Sequence, residues 1–130
     1  MASKIFLHVY AVIFWIYGLS YALYPELMLS LISDAQSANS NAAIDVRATY
    51  GGMSLAVGLF THYTAINSTR IKVGLAFVVL LMLAMALTRT LGILVEGNAN
   101  LAMYLLLVSE IGAAGVAAAL LQRSKEMQYE

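Results

Sequence analysis

Long apolar runs, broken by a few charges placed deep inside them, constrain this chain more than any other feature. Four such runs occupy about residues 4–24, 43–65, 71–95 and 101–121. Each approximates the ~20 residues that an α-helix needs to cross the ~30 Å hydrocarbon layer of a bilayer. Arg47, Arg89 and Glu110 lie inside the second, third and fourth runs. An uncompensated charge at such a position costs roughly 2.5–3.5 kcal/mol on insertion scales. A chain that keeps three of them must pair them, hydrate them or use them. Composition agrees with a membrane setting: 62% of residues are hydrophobic and 11% charged, against roughly 45–50% and about 25% in soluble domains. The expected architecture is an all-α membrane protein, an antiparallel four-transmembrane-helix bundle with a short interfacial helix after the first span. Its 130 residues form a single integral membrane domain by length.

The formal net charge is zero, so no electrostatic case exists for a nucleic-acid partner. Cysteine is absent, which excludes disulfides, thiolate metal sites and a cysteine nucleophile. Lys4 ahead of an apolar run and a small residue at Ala22 loosely resemble a secretory leader; the segment is read as a retained helix. Pro25 stops it. Tyr10, Phe14, Tyr17, Tyr21 and Tyr24 recur at intervals of four, three, four and three, placing them on one helix face. That face is an aromatic packing seam, or it presents the Tyr17 and Tyr21 hydroxyls to a polar centre. Residues 25–32 read as a short helix with proline at its first position, suited to lying along the membrane surface. Residues 33–42 read as a polar loop.

In the second span Arg47, Tyr50, Gly51, Ser54, Gly58 and Thr61 fall at spacings of three and four, a polar and small stripe down one face. Ala48 with Gly52, and Ser54 with Gly58, are small residues four apart that let another helix approach closely. Asp45 is expected in the first helical turn, where a carboxylate favours the helix dipole. Asn67 begins an Asn-Ser-Thr sequon in the connection to the third span, a weak three-residue match. Residues 96–100 read as a tight turn, and residues 122–130 as a charged tail. Lys4, Arg70, Lys72, Arg123 and Lys125 fall on one side of this layout; Glu26, Asp34, Asp45 and Glu96 fall on the other. The positive-inside rule then puts both termini in the cytoplasm. Arg47 and Arg89 enter the same outer half of the bilayer, and Glu110 reaches toward them from the last span.

Two uses of these charges follow. The first is structural, with Arg47 and Arg89 bridging Glu110 and pinning the helices in register. The second is a binding site: two arginines against one glutamate, with Tyr50, Ser54, Tyr17 and Tyr21 nearby, suit an anionic or carbonyl-bearing lipid-like ligand, a quinone or isoprenoid among them. Glu110 could also act as a general acid or base on a lipophilic substrate, an isomerase-type reaction. No metal centre is expected, because His8 and His62 fall away from the charges and two ligands make a poor site. No nucleophile elbow, phosphate loop or dinucleotide fingerprint occurs, and the residues identify no cofactor. A transporter is disfavoured because four helices leave little room for alternating access and no inverted repeat is visible. The expected partners are membrane lipids and other membrane subunits or a second copy.

Arg47 followed by Ala-Thr-Tyr-Gly-Gly, then Arg89 ahead of Leu91 and Gly92, then Glu110 in the last span, resembles a bacterial family of small four-helix membrane proteins classed as a domain of unknown function. The likeness covers about residues 5–121. It implies a four-span protein of the bacterial inner membrane and supplies no activity. A looser similarity to small DoxX-like membrane proteins, some of them subunits of quinone-linked oxidoreductases, rests on size and topology. The reading that emerges is an accessory or scaffold subunit of a larger membrane complex, or a binder of a lipid-like ligand. The alternative is a small membrane enzyme that uses Glu110.

Overall fold

The computed structural model describes residues 1–126, with side chains through residue 124. The end of the expected charged tail, residues 127–130, lies outside the described residues. Among those described, every regular element is helical, as the apolar periodicity implies. The elements are α1 (Ala2–Leu23), α2 (Pro25–Ser33), α3 (Ser40–Val46), a π-helical turn (Arg47–Gly52), α4 (Met53–Ala65), a 3-10 turn (Ser68–Arg70), α5 (Ile71–Glu96) and α6 (Leu101–Glu126). Three stretches are long and apolar enough to cross a membrane: Ala2–Leu23, Ser68–Glu96 and Leu101–Ser124. That fits a multi-pass membrane protein.

The second expected span is not one regular α-helix. From Ser40 to Ala65 the backbone stays helical but is divided at the π turn. Glycine has the poorest helix propensity after proline, and the adjacent Gly51 and Gly52 fall within that turn. The helical stretch also begins earlier than residue 43, because the Asn39 side chain accepts from the Ala42 N–H at 3.0 Å and caps α3. Asp45 is thereby moved out of the first turn, where it was expected. It accepts instead from the Thr49 hydroxyl, one turn on, at 3.5 Å.

Pro25 ends α1 and opens α2, as the sequence implies. Asp34 closes α2 in the left-handed region, φ 53°, and donates its N–H to the Leu29 carbonyl. The expected loop over residues 33–42 is shorter, since α2 reaches Ser33 and α3 starts at Ser40. Ser37 closes it, donating its hydroxyl and its backbone N–H to Glu26. Those two donors hold the Glu26 carboxyl below its ordinary range. Gly97, at φ 69°, caps α5 by donating to the Ile93 carbonyl at 3.0 Å. Asn100 then accepts from the Met103 N–H at 3.0 Å and starts α6. The helix continues through Glu126, so the first part of the expected tail is helical.

The chain forms two compact units, one of residues His8–Tyr63, the other of Met1–Leu7 with the described residues from Thr64 onward. In the first, α1 meets the π turn and α4 at glycines. A Cβ on Gly18 would lie 2.8 Å from the Leu55 nitrogen and 2.9 Å from the Gly51 carbonyl oxygen. One on Gly58 would run into the Trp15 indole and come within 3.0 Å of the Ala11 carbonyl. In the second unit, α5 and α6 pack together. The buried positions of α5, Leu75, Val78, Met82 and Ala86, follow helical spacing, and α6 supplies Ala114 and Ala117. Gly74 admits Thr64 and Leu7, which would collide with any side chain there. Small residues therefore do bring helices close, though not every glycine does. Gly52, Gly112 and Gly115 have nothing within 4 Å of a built Cβ, and in α6 the alanines make the buried contact.

Candidate functional site

Glu110 is the buried carboxylate of the second unit, 3% exposed. It projects from α6 onto Arg89 of α5. The Arg89 Nε lies 3.0 Å from Oε1 and 3.1 Å from Oε2, and Nη2 lies 2.6 Å from Oε1. This is a two-pronged guanidinium–carboxylate pair, the geometry in which arginine binds best. The remaining terminal nitrogen, Nη1, donates to the Met103 sulfur at 3.2 Å. The hydroxyls nearby in sequence are satisfied within their own helices. Thr88 and Thr90 return their hydroxyls to the Ala84 and Ala86 carbonyls at 2.9 and 2.7 Å, and Ser109 does the same to Leu106 at 2.7 Å. The pair is thus electrically neutral, and both oxygens of Glu110 are engaged. Sequence reasoning placed both charges correctly but missed Met103, whose thioether carries no signal that separates it from a packing methionine.

Arg47 belongs to the other unit and leaves the π turn to reach the end of α1. Its Nη1 donates to the Ala22 carbonyl and, at 3.4 Å, to that of Leu23. The last carbonyls of a helix lack intrahelical partners and carry the negative end of its dipole, so Arg47 caps α1 from outside. Pro25 is part of the reason, since it supplies no N–H to those carbonyls. Of the ligand set expected around Arg47, three tyrosines lie together beside the last turn of α1. Tyr21 is 2% exposed, and its ring stacks on Tyr50 at 5.2 Å and meets Tyr17 at 4.9 Å. Tyr50 is half exposed and Ser54 is buried. Tyr17 and Tyr21 therefore belong to the aromatic seam.

A further cluster was only partly legible. His8 and His62 approach to 5.0 Å between ring centroids, and the Trp15 indole lies 5.2 Å from His62. Gly58 is what leaves room for Trp15. Among the described residues no group of three or more metal-ligating side chains occurs.

The chain belongs to the DUF4345 family, a domain of unknown function, whose family model matches residues 2–121. No curated protein and no solved structure matches it.

Proposed function

We propose that this protein is a small integral-membrane accessory subunit that associates with a larger membrane complex, carrying a lipid-like ligand at Arg47, Tyr50, Ser54, Tyr17 and Tyr21. In this reading residues 40–65 cross the bilayer as a fourth span despite the π turn. The helices form an antiparallel bundle in a bacterial inner membrane, with both termini cytoplasmic and α2 on the opposite surface.

The observation that carries the reading is the Arg89–Glu110 pair. Both carboxylate oxygens are held by one guanidinium, which suits a clasp between helices. Exposure supports an associating role, since only 17% of the most apolar window of α6 is buried within the chain. Membrane helices meet partners through packing of small residues, and Gly112 and Gly115 lie on the open side of α6.

The test is Glu110→Gln. As a scaffold the protein tolerates the amide, which still accepts a hydrogen bond from Arg89, and its complex survives purification. An acid–base enzyme working through Glu110 would keep its assembly and lose its biochemical phenotype completely. That second outcome would overturn the accessory reading.

A further inference from the structure

The two buried-span arginines differ in one respect that decides what each can recruit. The charge of Arg89 is cancelled by Glu110. Arg47 is held only by neutral carbonyls, those of Ala22 and Leu23. Its Nε and Nη2 have no partner among the described residues, and the side chain is exposed. Glu26 is near enough to interact electrostatically with Arg47, but its oxygens are taken by the Ser37 hydroxyl and amide. A guanidinium with three open N–H groups therefore stands at the end of a helix that is long enough to span the bilayer. At 1.5 Å per residue, a span like α1 ends at about the level of the lipid headgroups.

The second component of the site closes on the same last turn of α1. Tyr50 stacks on the buried Tyr21 at 5.2 Å, so its ring is fixed, while half of it remains exposed. Its hydroxyl has no hydrogen bond among the described residues. The π turn supplies both groups, Arg47 from its first residue and Tyr50 from within it. Such turns are frequent at functional sites because they redirect side chains from the regular helical pattern.

We propose that Arg47 and Tyr50 bind the phosphate of an anionic membrane-lipid headgroup at the end of α1. This deepens the ligand half of the accessory-subunit reading and rests on it, while being independent of any protein partner. The chemistry is a fixed guanidinium donating to phosphate oxygens, with a phenol alongside as a further donor. An anionic headgroup gives the guanidinium a directly bonded counter-charge, which Glu26 does not; a zwitterionic one brings its own cation as well.

The experiment is native mass spectrometry of the full chain, delipidated in detergent and titrated with phosphatidylglycerol, phosphatidylcholine or inorganic phosphate. The wild type should retain phosphatidylglycerol about tenfold better than phosphatidylcholine, whose choline cation opposes the guanidinium. Arg47→Gln should abolish the preference, and Arg47→Lys should restore part of it. Because Arg47 also caps α1, its loss can unwind that helix. Tyr50→Phe keeps the ring stack and the cap, and should lower the preference severalfold. Equal retention of the two lipids by the wild type would overturn the proposal, as would an unchanged preference in folded Arg47→Gln or in Tyr50→Phe. Displacement of bound lipid by an equal concentration of inorganic phosphate would overturn the lipid as the source. Partner association is read separately, from Glu110→Gln, so either proposal can fail without the other.

Discussion

Breaking the Arg89–Glu110 pair one side at a time should cost far more than removing both sides together. Glu110 is 3% exposed and the Arg89 side chain 19%, so solvent cannot take over either charge. Glu110→Leu would leave a guanidinium with only the Met103 sulfur, and Arg89→Met would leave a carboxylate with no donor in its place. Removing one partner of a buried pair costs about 3–5 kcal/mol, and an unpaired charge in a membrane helix roughly 2.5–3.5 kcal/mol. Each single variant should therefore lose about 3 kcal/mol or more. The double variant Arg89→Met with Glu110→Leu removes both charges at similar volume and should lie within about 1 kcal/mol of wild type. Hydrogen bonding between membrane helices by itself averages only about 0.6 kcal/mol, so the size of the single-variant loss separates a charged clasp from an ordinary polar contact. The assay is reversible unfolding in mixed micelles followed by circular dichroism, read as a double-mutant cycle. Single variants that lose only about 1 kcal/mol, or a double variant as damaged as the singles, would refute the reasoning.

The glycines give a second set of outcomes. Gly74→Ala puts a methyl into Thr64, with Leu7 3.1 Å away, and should destabilise by about 1–3 kcal/mol in the same assay. Gly112→Ala meets nothing within 4 Å and should leave the isolated chain unchanged or stabilise it by up to about 1 kcal/mol. Gly112→Leu should likewise spare the fold yet weaken a complex that packs against that face, measured by co-purification. The Glu26 strap should depend on pH. Its carboxyl is held below the ordinary glutamate range by Ser37, so the contribution is complete above that range and is lost as pH falls through the lower folded-state value. Protection of the Ser37 amide from hydrogen exchange, taken relative to the intrinsic rate at each pH, should fall on acidification in the wild type and be low at every pH in Glu26→Gln.

Much of this was legible because bilayer physics leaves a chain few options. Apolar runs of membrane length imply helices, and the boundaries at Pro25, Gly97 and Asn100 follow from residues that cannot continue or that cap a helix. The pairing of Arg89 with Glu110 follows from the cost of leaving either charge alone. The second span was harder to read. Its polar stripe has helical spacing, but a π turn shifts register within that spacing, and only the adjacent glycines hint at it. The capping of α1 by Arg47 was hidden because it depends on backbone carbonyls, which every sequence supplies equally. The open faces of Gly112 and Gly115 were not legible, since a small residue has the same signature whether its neighbour lies within the chain or outside it.

The accessory role is tested most directly by extracting the tagged protein from its native membrane in mild detergent and identifying what co-migrates on size exclusion. The account predicts a membrane protein partner at fixed stoichiometry, retained by Glu110→Gln and released by Gly112→Leu. A lone monomer, with no protein partner in the native extract, would contradict it.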